Sequence, residues 1–135
     1  MTGMDVISGV AEQGFRGYVQ VIADELGVRP EGVSHGPRPL ASAYLALRER
    51  LPGFARRDVA VVWDARHGWA VGVETSSGED LIMLAYLGEN LLPEPSEVVV
   101  FVKTLLAGQR SGQLKPPIVR SCDPGDRLAS YVQRG

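Results

Sequence analysis

A chain of 135 residues that is 44% apolar and 22% charged has ordinary globular composition. At this length a single domain buries about two thirds of its unfolded surface, enough for one core without staples. Fourteen basic residues against 16 acidic give a net charge of −2, and only Arg56 and Arg57 adjoin. The clustered basic face that phosphate neutralisation needs is missing, which argues against nucleic acid as a partner.

The lone Cys122 leaves no intramolecular disulfide and no cysteine-based metal cluster, and points to a reducing cytoplasm. The first residues lack a basic segment followed by a long apolar one. No apolar run approaches the roughly 20 residues of a membrane span, so neither export nor insertion is expected.

Residues 1–8 read as a flexible leader. After them Val10, Phe15, Tyr18, Val19, Ile22 and Leu26 recur at helical spacing, predicting a helix from about Ser8 to Leu26 with Ser8 as N-cap and Gly27 as stop. Gly14 and Gly17 are unusual within it, since each costs about 0.5–1 kcal/mol relative to Ala. They allow either close packing on a sheet or the close approach of a ligand or partner. Residues 29–40 hold three prolines and two glycines, which forbids a helix and leaves a loop with at most a short edge strand around Val33. Ser34 and His35 are neighbours on extended chain, so their side chains point to opposite faces and cannot act as nucleophile and base. His35 is read as an exposed loop residue.

Residues 41–51 are good helix formers, yet Ala43, Leu45 and Leu47 alternate. A strand is favoured, because the turn from Leu51 to Asp58 would return it against Val59–Trp63. Two β-branched segments, Val59–Trp63 and Trp69–Glu74, then flank a polar connection and predict a hairpin with Val59, Val61 and Trp63 on one face. A second turn over Thr75–Asp80 leads to Leu81–Leu87, apolar on both faces, as a strand covered on both sides would be. Ser96 as N-cap, Val98, Phe101, Val102 and Leu105 as core stripe and Gly108 as stop predict a second helix over about Ser96–Ala107. From Gln109 the composition turns polar, and 109–135 reads as a mobile tail in which Leu128, Tyr131 and Val132 offer a short docking helix.

The resulting expectation is an α+β domain over residues 9–108: helix, three to five mostly antiparallel strands, helix, with both helices on one sheet face. Tyr44–Leu47, Leu51–Phe54, Asp58–Asp64, His67–Trp69, Val73–Thr75 and Leu84–Gly88 together resemble a family of small actinobacterial proteins classed as a domain of unknown function. The similarity covers roughly residues 12–108. It implies a cytoplasmic bacterial protein and carries over no activity or site residues. It also implies that the region after Gly108 is particular to this chain.

The hairpin tip is the best candidate site, because Asp64, Arg66 and His67 present an acid, a cation and an imidazole within one short turn. Three readings compete there: catalysis, partner or ligand contact, and plain turn chemistry, with Asp64 capping and Gly68 left-handed. Catalysis needs a cleft to tune the groups, which an exposed turn does not supply. His35, His67, Cys122 and the carboxylates have no metal-ligand spacing, Cys122 stands beside Asp123, and no phosphate-binding or dinucleotide glycine motif is present. No cofactor is expected. The leading expectation is a non-catalytic protein-interaction or regulatory module, with an unknown protein partner or a second copy of the chain in a homodimer. The alternative is a small-molecule binder or enzyme with a pocket between the first helix and the sheet, rimmed by Arg16, Tyr18 or His67.

Overall fold

The computed structural model describes residues 3–35, 42–75 and 80–117. In chain order these form helix α1 (Gly3–Leu26), a single 3-10 turn (Pro30–Gly32), strands β1 (Val33–His35), β2 (Ser42–Ala46), β3 (Val59–Asp64), β4 (Gly68–Glu74) and β5 (Leu81–Tyr86), and helix α2 (Pro95–Leu106). The fold is α+β. The strands make one antiparallel meander in the order β1-β2-β3-β4-β5. Residues 41–51 therefore do contribute a strand.

One sheet face carries the cross-strand rows Val33, Leu45, Val61, Val71, Ala85 and His35, Ala43, Trp63, Trp69, with Val59 opposite Val73 beyond them. Both helices pack on this face. Phe15, Tyr18, Val19, Ile22 and Leu26 of α1 form a single buried cluster with Val98, Phe101 and Val102 of α2 and the strand residues. These are the apolar positions that helical spacing singles out.

The helix ends show what sets their length. Both helices stop in the same way: Gly27 and Gly108 take φ of 72° and 84°, and the next residue's N–H reaches five residues back, Val28 to Ala23 and Gln109 to Thr104. The starts differ from expectation. α1 begins at Gly3, so Ser8 lies within the helix rather than at its cap, and the residues read as a leader are helical from Gly3 onward. α2 begins at Pro95 after Glu94, with no side-chain cap, and Ser96 falls in its first turn. Proline at the first helical position has its φ already set and no N–H to leave unpaired, which here replaces a serine cap.

His35 is a second correction. It closes edge strand β1, half-buried, with its ring edge-on to Phe15 at 6.0 Å. Strand β5 is irregular: Val71 pairs with Ala85 and Gly72 with Met83, leaving Leu84 as the extra residue of a bulge. Gly72 permits this, since a Cβ there would stand 3.0 Å from the Ile82 carbonyl and 3.1 Å from the Met83 sulfur. Beyond α2 the chain comes back to the sheet, where Gln113 and Tyr86 exchange both backbone bonds at 2.7 Å. The turn at residues 76–79, Cys122 and the docking-helix residues Leu128, Tyr131 and Val132 lie outside the described residues.

Candidate functional site

The tip of the β3–β4 hairpin is built around one carboxylate. Asp64 Oδ1 accepts the backbone N–H groups of Arg66 and His67, both at 2.8 Å, and His67 Nδ1 stands 3.2 Å from the same carboxylate. Aspartate favours this self-bonded turn because its short side chain reaches the backbone two and three residues on. Gly68 follows with φ of 68° and rests against Asn90 and Leu91. Asp64 and Arg66 are exposed and His67 is half-buried, its ring 5.8 Å from that of Tyr86. The sequence-derived residues of the tip are thus together, and Asp64 and Gly68 act as turn chemistry requires.

Beneath the tip, Trp63 and Trp69 are direct cross-strand partners. Both rings are buried, and both indole N–H groups are satisfied. Trp63 Nε1 donates to the Leu91 carbonyl at 2.8 Å, and Trp69 Nε1 donates to the Tyr18 hydroxyl at 3.0 Å. Tyr18 in turn donates to the Pro93 carbonyl at 2.6 Å. Three aromatic donors therefore tie α1, the hairpin and the 91–93 segment ahead of α2 into one unit, as buried Trp and Tyr polar atoms must find partners. Phe15 stacks on Trp63 with ring centroids 4.4 Å apart.

Gly14 is buried and Gly17 half-buried on α1, directly before Phe15 and Tyr18 respectively. Arg16, between the two glycines, is exposed. Phe15, Tyr18, Trp63 and Trp69 occupy the interval between α1 and the hairpin.

The feature that sequence reasoning located only in part is the other sheet face. Its two central rows are Ser34, Tyr44, Val62, Ala70, Tyr86 and Ala46, Ala60, Gly72, Met83. Apolar residues dominate where a solvated antiparallel face carries alternating polar ones. Ala60, Ala70 and Gly72 are buried at its centre, beneath half-buried Tyr44 and Val62 on one side and Met83 and Tyr86 on the other. The alternation of Leu81–Leu87 hinted at this face, but its small-residue centre comes from strands that are far apart in sequence.

One polar link crosses the face. Tyr44 donates to Glu74 Oε1 at 2.6 Å, and Arg57 Nη1 donates to the Glu74 carbonyl at 2.9 Å. Burial first, then the hydrogen bond and charge of Glu74 and the charge of Asp58, push the Tyr44 phenol well above its usual range. Among the described residues no group of three or more His, Cys, Asp or Glu side chains is placed to hold a metal ion. None of the described helices is long and apolar enough to cross a membrane.

A helix, a five-strand antiparallel meander and a second helix on the same face define a small α+β domain. Its family follows from sequence comparison: residues 18–104 match the model of a family of unknown function, DUF6292, and the chain belongs to that family. The matched span runs from Tyr18 to the last turn of α2, so it contains the Tyr18–Trp69–Pro93 link and all five strands. No curated protein and no solved structure matches the chain.

Proposed function

We propose that this protein is a non-catalytic interaction or regulatory module of the cytoplasm, which engages another protein through the sheet face opposite its helices. The observation that carries this reading is the composition of that face: Tyr44, Val62, Met83 and Tyr86 around a centre of Ala60, Ala70 and Gly72. The half-buried aromatic and methionine side chains that cover this small-residue centre are of the types enriched at protein interfaces. Both sheet edges are poor docking sites. β1 is three residues long and follows Pro30, and β5 has its end covered by Gln113 with Pro116 and Pro117 just beyond. The remaining way to add a partner to the sheet itself is face-on.

The small-molecule alternative has less support, because the interval beneath α1 is filled by Phe15, Tyr18, Trp63 and Trp69. The tip dyad of Asp64 and His67 is open to water and aligned with no nucleophile, so acid-base catalysis there lacks the burial that tunes such groups.

Affinity purification from the native host tests the proposal. The native chain should retain a stoichiometric protein that Val62→Lys and Met83→Lys each lose, with circular dichroism showing all three folded. Retention by the variants, or nothing retained by any of the three, contradicts it.

A further inference from the structure

Three large apolar side chains of the described residues are exposed, and two of them, Val100 and Leu114, lie on the elements that border one groove. Leu114 is 83% exposed, Val100 63% and Ile82 43%. Ile82 lies on edge strand β5, Val100 on α2, and Leu114 on the arm that follows α2 and pairs with β5 at Gln113. Between α2 and this arm runs an open groove of about 360 Å³, lined by Leu87, Val100 and Phe101 with Ser96, Glu97 and Ser111 at its sides. The groove and the most exposed apolar side chain of the described residues thus stand only three positions apart on the arm, at Ser111 and Leu114.

The arm that carries Leu114 is held firmly. Its Gln113 makes two 2.7 Å backbone bonds to Tyr86, and Gln113 Nε2 donates to the Lys115 carbonyl at 2.9 Å, fixing the turn around Leu114. Gly112, with φ of 71°, sits so close to the Tyr86 carbonyl and the Phe101 ring that any side chain there would collide with both. A knob fixed beside an unfilled groove of matching character is what a two-fold interface requires, since each copy must present both complementary parts.

The charges agree with that pairing. Glu97 is exposed on the groove wall, and Lys115 is exposed directly after the Leu114 knob. We infer that two copies of this chain associate through this flank, each Leu114 entering the Leu87–Val100–Phe101 groove of the other while each Lys115 meets the partner copy's Glu97. The patch is small, so the dimer is a transient one with a dissociation constant on the order of micromolar. Leu114 lies beyond the span that matches the family, whereas the groove residues Leu87, Val100 and Phe101 lie within it. It rests on the reading of the protein as an interaction module but uses a different surface from the sheet face.

Sedimentation velocity of the full chain over a range of concentrations tests it. The native chain should pass from monomer to dimer, and Leu114→Asp should weaken the dimer by about tenfold or more, as loss of a central apolar anchor does. Leu114 is almost fully exposed, so this variant leaves the monomer folded. Glu97→Lys should weaken the dimer as well, and adding Lys115→Glu should restore it. A monomer at every concentration overturns the inference. So does a dimer that Leu114→Asp leaves intact, or a charge reversal that the second exchange fails to restore. A dimer lost in Val62→Lys but kept in Leu114→Asp would move self-association to the sheet face, and partner retention lost only in Val62→Lys would leave the module reading standing while this one fails.

Discussion

At the scale of single residues, the Tyr18 hydroxyl joins α1 to the hairpin and to the segment ahead of α2. It accepts from Trp69 and donates to Pro93, and all of these atoms are buried. Tyr18→Phe strands an indole N–H and a carbonyl at once, so it should cost about 2 kcal/mol, read as a lower urea midpoint with unchanged slope. A loss below about 0.5 kcal/mol, the level of an ordinary surface change, would mean that water takes over both partners. Tyr44 gives a pH test. Its phenol is raised in the folded protein, so its contribution to stability is complete below the unfolded pKa near 10 and is lost as pH rises from there towards the folded value. Tyr44→Phe should flatten the fall in stability above about pH 10, read as urea midpoints across that range. The positions of Trp63 and Trp69 as core residues were legible from their place on strands. Their indole partners were not, because the Leu91 carbonyl and Tyr18 lie 28 and 51 residues away and no local pattern encodes such a bond.

At the scale of elements, the hairpin tip is held by Asp64 alone among its three polar residues. Asp64→Ala removes the acceptor for two backbone N–H groups and should cost about 1 kcal/mol, whereas Arg66→Ala should stay within about 0.5 kcal/mol in the same denaturation measurement. Equal effects would mean that the turn owes its shape to the strands and not to the carboxylate. Strand identity could be read where alternation was strong: Ala43 and Leu45 point to the core as their spacing required, against good helix propensity. Helix stops were also legible, since Gly27 and Gly108 have no substitute for a left-handed residue. Helix starts were not. Ser8 and Ser96 are plausible caps, but a helix extends past any serine whose upstream neighbours tolerate helical φ, and Pro95 sets the start of α2 without a side-chain bond. The arm from Gln109 to Pro117 looked like a solvated tail because it is polar. What seats it is Gly112, and Gly112→Ala should release the arm, raising hydrogen exchange at the Gln113 and Tyr86 amides.

For the whole molecule, two surfaces stand out against a well-satisfied interior: the sheet face around Ala60, Ala70 and Gly72, and the flank around Val100 and Leu114. The first lies within the part of the chain that the family shares, and the second lies partly beyond it. Fold class was legible because periodicity assigns elements and short connections leave a meander as the simplest topology. The sheet face was legible only as a strand apolar on both sides, since its centre is assembled from three strands by register. The most direct test of the module reading places a photo-crosslinking amino acid at Val62, or at Arg66 as a control, in the native host. Val62 should give a single adduct to another protein and Arg66 none. An adduct from Arg66 with none from Val62 would place the function at the hairpin tip and contradict it.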